Sequence, residues 1–360
     1  MQDKLKKNIA GFGSPIVDTF LLQEDEPELS FKIRNSFKLH MSVDDKYEWD
    51  IYNQLFVNPK IELLLGGSAM NITRMTNYVL SKLDNIDNKT YFFGSTSDDN
   101  FGKLIIDKLR EESVIFCNQM FTNSMTCSNI VLLDNKDRTF FTNLGVSELT
   151  EKKFIEQYSQ ILNDLSLFYT DAYLIFRCKD VYHYIYRTFY LNENLMLALG
   201  MGSDQIVSEF FDSIIEFLPY VDIVLVNKEE NECLKTKFNK IEYPDEEFIK
   251  FLANYHKINQ RKVRIIVNTR GQIDTLICVK DFQKDLIEFF SVPVLKLDPK
   301  IIIDLNGAGD AFAGGFFGGF LMGLGLVECG KLGNYIASEV IKLRGFQIPR
   351  IDSIELVKNV

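Results

Sequence analysis

Apolar positions along the chain follow two rhythms. Short apolar runs bounded by turn residues read as strands at 8–13, 90–93, 172–176, 195–199, 223–226, 264–268 and 275–279. Between them the spacing is helical. Ile72, Met75, Val79 and Leu83 share one face of a helix predicted over 68–83, with Ser68 as its cap. Phe101, Leu104, Ile105 and Leu109 mark a second helix, and 181–191, 205–218 and 228–237 read as three more. Strands alternating with helices predict a mostly parallel sheet joined by right-handed crossovers.

Two regions depart from this alternation. Residues 19–61 mix acids, aromatics and scattered apolar positions without helical period, apart from a short helix near 46–55. Residues 125–133 and 138–143 are strand-like runs joined by Asp134-Asn135-Lys136-Asp137, a good hairpin turn. Paired with the first excursion, they predict a small β lid over 19–64 and 121–144. The remainder, 1–18, 65–120 and 145–360, forms one large α/β domain. Ligands of such sheets bind where the strands end and the turns begin.

Composition narrows the function. The chain has 360 residues, enough for a substantial core, and 40 basic against 50 acidic residues give a net charge of −10. That balance disfavours nucleic acid as a partner. Six cysteines are widely spread without a CxxC pair or interleaved histidines, so free thiols are expected rather than disulfides or a zinc site. Residues 1–7 are charged and no apolar segment follows, so no secretory signal is expected and a cytoplasmic location is the default. Residues 311–327 carry no charge and six glycines, yet are shorter than a membrane span of about 20 residues needs. A buried helix against the sheet is the better reading, and no membrane partner is expected.

The most informative stretch is Asp304-Leu305-Asn306-Gly307-Ala308-Gly309-Asp310, where the apolar run 301–303, read as a strand, meets that helix. Gly307 and Gly309 permit a tight turn in which the amides of residues 306–310 converge, and a helix N-terminus adds unpaired donors. An anion fits there. Asp310 would repel phosphate, but it suits a base beside an anion hole, and phosphoryl transfer to an alcohol follows. The plain alternative is an acid that stabilises the helix dipole by roughly 0.3–1 kcal/mol.

Three motifs in order carry a resemblance. Gly66-Gly67-Ser68-Ala69-Met70-Asn71 resembles a GGxxxN signature, Asn227-Lys228-Glu229-Glu230 an NxxE element and Gly307-Ala308-Gly309-Asp310 a GAGD signature, all of the ribokinase-like (PfkB) sugar and nucleoside kinases. The resemblance implies a three-layer α/β sandwich with a β-sheet lid. It implies Asp310 as general base and an anion hole at Gly307, Ala308 and Gly309. Arg138 would reach over the phosphates from the lid. Asp18 would grip two vicinal hydroxyls of the acceptor, with Gly66, Gly67, Ser68 and Asn71 lining the same sugar. Asn227 and Glu230 would organise Mg²⁺ through water. Thr269, Gly271, Asn306 and Asn334 would line the ATP side. ATP and Mg²⁺ are thus implied, and K⁺ is a further candidate. A monomer is expected.

Within that family, residues 11–18, 93–102, 218–223 and 306–310 resemble adenosine kinases of eukaryotic type. An apolar lid of Leu39, Phe140 and Leu144 would suit a purine. Ser14, Leu305 and Ala198 depart from that subfamily, each altering a polar contact. Two alternatives stay open: a kinase for another nucleoside or a sugar such as ribose, and a non-catalytic nucleoside-binding relative. The near-Walker run 325–332 lacks the Ser or Thr that would hold Mg²⁺ and is discounted.

Overall fold

A computed structural model describes residues 5–36, 45–82, 86–134 and 137–352. Its strands, in chain order, are β1 (Leu5–Lys6), β2 (Ile9–Phe12), β3 (Ile16–Leu22), β4 (Glu62–Gly66), β5 (Ile86–Asp87), β6 (Thr90–Ser97), β7 (Val114–Phe121), β8 (Ser128–Asp134) and β9 (Asp137–Asn143), then β10 (Leu167–Asp171), β11 (Met196–Gly200), β12 (Ile223–Val226), β13 (Arg264–Arg270), β14 (Ile273–Asp281) and β15 (Leu286–Val292). The main sheet runs β15-β14-β13-β12-β11-β10-β2-β6-β7. From β13 to β7 every pairing is parallel, whereas β14 and β15 close the far edge antiparallel. Phe92 and Phe93, adjacent on β6, are both buried but belong to different apolar clusters, one on each face of the sheet. A sheet covered on both sides must read as continuous apolar runs, which is why these strands were legible.

The helices are α1 (Pro27–Ser36), α2 (Lys46–Val57), α3 (Ser68–Ser81), α4 (Asn100–Glu111), α5 (Lys152–Glu156), α6 (Ser159–Asn163), α7 (Lys179–Phe189), α8 (Asp204–Phe217), α9 (Lys228–Lys237), α10 (Asp245–Asn254), α11 (Ala308–Met322) and α12 (Leu326–Val340). Side chains of α3, α11 and α12 enter the cluster on one face, and those of α7, α8 and α10 the cluster on the other. Helix α11 lies between α3 and α12 and uses glycine on both sides. A Cβ at Gly314 or Gly318 would stand 2.4 Å from Met75 or Val79 of α3, and one at Gly315 would stand 3.0 Å from Gly333 of α12. Among the described residues no helix is long and apolar enough to cross a membrane.

The second sheet, β4-β3-β8-β9, is the small β unit expected from the two excursions. β3 pairs β4 antiparallel and β8 parallel, so the hairpin β8–β9 does meet the first excursion. β3 begins at Ile16 and β4 ends at Gly66, so Asp18 and the first motif glycine sit on the small sheet itself.

Several expectations are corrected. The strand expected at 172–176 is a turn after β10: Asp171 accepts from the Tyr173 amide and starts a short 3₁₀ helix at Ala172. Residues 301–303 are not a sheet strand; Pro299 starts a 3₁₀ turn, and Ile303 is 60% exposed. The helix expected over 311–327 is two helices, because Gly323 turns left-handed at φ 84° and its amide caps α11 on Gly319 and Phe320. β7 and β15, both edge strands with irregular burial, were not anticipated. The six cysteines are free, and burial raises the Cys117, Cys127, Cys178 and Cys329 thiols to about 12.

Candidate active site

Chain ends converge where the motifs predict. β4 stops at Gly66, and Gly67, with φ 92°, turns the chain into α3. Neither glycine has room for a side chain: a Cβ at Gly66 would stand 2.3 Å from Asp18 Oδ2, and one at Gly67 would stand 2.1 Å from the Ser14 carbonyl. The acid on β3 and the loop after β2 are thereby pressed against the start of α3.

Ser68 is not the cap it was expected to be. The N-cap is Gly67, which offers no side chain, and Ser68 donates instead to Asp310 Oδ1 at 2.8 Å. The capping is supplied from elsewhere: Asp171, at the end of β10, accepts from the Ala69 amide at 3.0 Å. Asn71, one turn into α3, donates to Asp310 Oδ2 at 3.0 Å. Both oxygens of the Asp310 carboxylate therefore receive a hydrogen bond from α3, across 239 residues or more of sequence.

Asp310 itself sits in the first turn of α11. Gly307 adopts φ 76° as its N-cap, and Phe346 packs so closely that a Cβ there would stand 2.7 Å from the ring. Asp304 holds the loop from below, accepting from the amides of Asn306 and Gly345. The anion hole is narrower than expected. The Asn306 amide is taken by Asp304 and the Ala308 amide by the Leu305 carbonyl, which leaves Gly307, Gly309 and Asp310 as the donors facing no acceptor among the described residues.

Behind this turn lies a cleft of about 130 Å³, lined by Ser68, Tyr169, Asn227, Glu230, Thr269 and Asp310 among others. That is below the roughly 300–1,000 Å³ of a drug-sized ligand pocket, and suits a phosphoryl group with its waters. Asn227 and Glu230 form a reciprocal capping box on α9: Asn227 Oδ1 accepts from the Glu230 amide and Glu230 Oε2 from the Asn227 amide, each at 2.8 Å. Glu230 keeps its other oxygen.

Acid dominates the electrostatics. Burial raises Asp310 to about 6, against the lowering effect of Asn71 and Ser68. Burial raises Asp18 to about 7, opposed by Asn129 and assisted by the charges of Asp310 and Asp304. Asp171 and Glu230 are likewise pushed by burial to about 7. Such a chamber is short of positive charge, and its oxygen-rich, partly engaged acids fit a hard divalent ion that keeps several waters. Among the described residues no group of three or more acidic, His or Cys side chains forms a cage by itself.

Other expected site residues are dispersed. Asn334 is buried and its amide is engaged, accepting from Thr275 and donating to the Pro293 carbonyl. Gly271, at φ 64°, lies in the turn between β13 and β14 with open space around it. Leu144 follows β9 and is half-buried. Leu39 lies outside the described residues, as do the side chains of Arg138 and Phe140; the backbone pairs these two with Leu133 and Val131. Asn129, which nothing in the sequence singled out, stands opposite Asp18 on β8 and donates to it at 3.3 Å, while Thr142 of β9 donates to Asn129 Oδ1. Asp171, Asp304 and Phe346 were missed too; of these only Asp304, which opens the glycine-bearing turn, lay in a stretch the sequence singled out.

Comparisons with known proteins bear on the family and the fold. A family model described as "pfkB family carbohydrate kinase" matches residues 39–353. An adenosine kinase of Dictyostelium discoideum is 28% identical over 330 residues, covering 87% of this chain and 93% of the relative. Among solved structures, the apo adenosine kinase of Trypanosoma brucei brucei superposes with a TM-score of 0.79 at 21% identity, covering 94% of this chain and 99% of that one. The Schistosoma mansoni adenosine kinase in complex with 2-fluoroadenosine gives 0.78 at 21% identity, covering 96% and 98%. At these identities the structural likeness speaks for the fold.

Proposed function

Because this chain belongs to the pfkB family of carbohydrate kinases and is a phosphotransferase with an alcohol acceptor, we propose that it moves the γ-phosphoryl group of ATP to the 5′-hydroxyl of adenosine, giving AMP and ADP in purine salvage. The observation that carries this reading is the position of Asp310. Its carboxylate is held by Ser68 and Asn71, and it opens a helix whose Gly307, Gly309 and Asp310 amides remain to bind an anion.

The chemistry follows from the residues. A carboxylate raised to about 6 is mostly ionised at neutral pH, yet more basic than an ordinary one. Ser68 and Asn71 occupy one lone pair on each oxygen, and the free lone pairs take the proton of the acceptor hydroxyl as it attacks. The three free amides then meet charge gathering on the transferred group. Asp18, pressed against Gly66, accepts from two vicinal ribose hydroxyls, and Asn71 and Gly67 border the same sugar. The nucleotide side comprises Asn306, Thr269, Gly271 and Asn334. By resemblance Arg138 on β9 is assigned to the phosphates, and the small sheet to a lid over 19–64 and 121–144. The same reading assigns Leu39, Phe140 and Leu144 to the base. Mg²⁺, entering with ATP, supplies neutralisation of phosphate charge, and Glu230 with Asn227 would hold its waters.

A second reading has one observation in its favour. The cross-strand row Asp18, Asn129, Thr142 makes one strip of the small sheet polar, which suits a more polar acceptor, another nucleoside or ribose. A screen of ATP consumption with adenosine, other nucleosides and ribose separates the two; adenosine is expected to give the highest kcat/KM. Asp310→Asn is expected to lower kcat by about 10²–10⁴-fold while nucleoside binding remains measurable by calorimetry. Full turnover in that variant would remove the base from this mechanism.

A further inference from the structure

Behind the residues that meet the acceptor stands a buried arginine to which no role has been given. Arg74 lies one turn beyond Asn71 on α3 and is 6% exposed. Its Nε and Nη2 form a two-point pair with Glu112, each at 2.6 Å, at the end of α4. Its Nη1 donates to Asn71 Oδ1 at 3.1 Å. Its guanidinium carbon lies 5.4 Å from the centre of the Phe346 ring, the ring that packs on Gly307.

We propose that Arg74 is a positioning residue for phosphoryl transfer: by donating to Asn71 Oδ1 it locks the Asn71 amide with its NH₂ toward Asp310. This rests on the reading of Asp310 as the base. The argument is one of donor and acceptor inventory. A guanidinium has only donors, so the atom of Asn71 that faces it must be the oxygen, and the NH₂ must then face Asp310. The reversed amide would set donor against donor at Arg74 and acceptor against carboxylate at Asp310. Two mismatches forbid it, and without Arg74 one of them disappears.

Glu112 makes the device nearly charge-neutral. The bidentate pair balances the guanidinium, so Arg74 orients the amide without adding a free cation beside the base. It also fixes the fork in one plane, because Glu112 ends α4 and its carbonyl accepts from Asn77 of α3 at 2.8 Å. The Phe346 contact extends the same support to the anion-hole turn. A lysine cannot substitute, since its single ammonium follows the Glu112 charge and leaves Asn71 unclamped.

The test is a double-mutant cycle on the purified enzyme with ATP, Mg²⁺ and adenosine. Arg74→Met is expected to lower kcat roughly ten- to hundredfold, the range of one hydrogen bond to a charged group, with KM for adenosine unchanged. On an Asn71→Ala background the same substitution is expected to have no further effect. Losses that multiply in the double variant, or a fall confined to KM, would overturn the proposal. Should Arg74→Met fail to fold by circular dichroism, Arg74→Lys takes its place with the same two expectations, and full kcat in that variant counts against the idea. Asp310→Asn run alongside keeps the two readings apart. If it is inactive while the cycle is additive, only the role of Arg74 falls; if it retains full turnover, the base assignment falls and this inference with it.

Discussion

Asp310 and Asp18 are both carboxylates raised by burial, and their neighbours set them to different tasks. Asp310 accepts from two side chains and rises only to about 6; Asp18 has one long contact, from Asn129, and rises to about 7. A base must be ionised, so kcat is expected to fall as pH drops through about 6, and a pH–rate profile at saturating substrates checks it. For Asp18 the effect appears in stability. Its folded pKa lies above the unfolded value, so the native state binds the extra proton and stability falls as pH rises from about 4 to about 7. Asp18→Asn is therefore expected to raise the melting temperature of the ligand-free protein at pH 8. Near pH 4.5 that gain should largely vanish, while adenosine affinity drops at both. A gain independent of pH would contradict this account. Asp310, Gly307 and Gly309 were legible because seven consecutive residues contain the turn, the donors and the acid. Asp171, Asn129 and Glu112 were not. Each acts on a partner between 38 and 111 residues away, and nothing local marks a residue whose work is done across such a distance.

Among the elements, most central strands were readable and the two edges were not; central β10, at Leu167–Asp171 rather than 172–176, is the exception. β11 and β12 are covered on both faces and show as unbroken apolar runs, whereas β7 alternates poorly and β15 is largely half-exposed. Residues 301–303 misled in the opposite way: three isoleucines that read as a strand lie in a turn, where the Ile303 and Asp304 amides both donate to the Ile341 carbonyl. Helix ends were uncertain for a related reason, since α3 takes its cap from Asp171 on another strand and Ser68 serves Asp310 instead. Gly307 is the element-scale test of the anion hole. Gly307→Ala places a Cβ on a left-handed backbone and into the Phe346 ring, and a loss of more than about 1 kcal/mol of stability with reduced kcat is expected. Gly318→Val, buried against Val79 and remote from the acid, is expected to cost about 1–3 kcal/mol through overpacking. Denaturant melts beside steady-state kinetics separate the two.

At the scale of the molecule, chemistry and anchorage occupy opposite ends of the main sheet. The strand ends carrying Asp171 and the turns beside them face the cleft. At the other end Asp222, 1% exposed, precedes β12 and pairs with the buried Lys257 and Lys262, while Arg264 binds four backbone carbonyls. Asp222→Ala strands two ammonium groups, and a loss of about 3–5 kcal/mol is expected with kcat unchanged in whatever fraction stays folded. The α/β order was visible from the alternation of strands and helices, but this ion cluster was not, because its members come from three separate segments. The glycine seam between α3 and α11 has a mechanical consequence. Two helices in which the Met75 and Val79 side chains of one seat directly on Gly314 and Gly318 of the other have little freedom to slide, so thermal motion carries the acid and its two donors as one body. On the lid reading proposed above, opening and closing for substrate traffic belong to the four-stranded sheet. An inhibitor that props that sheet away would silence the enzyme while leaving the apparatus for proton removal fully assembled.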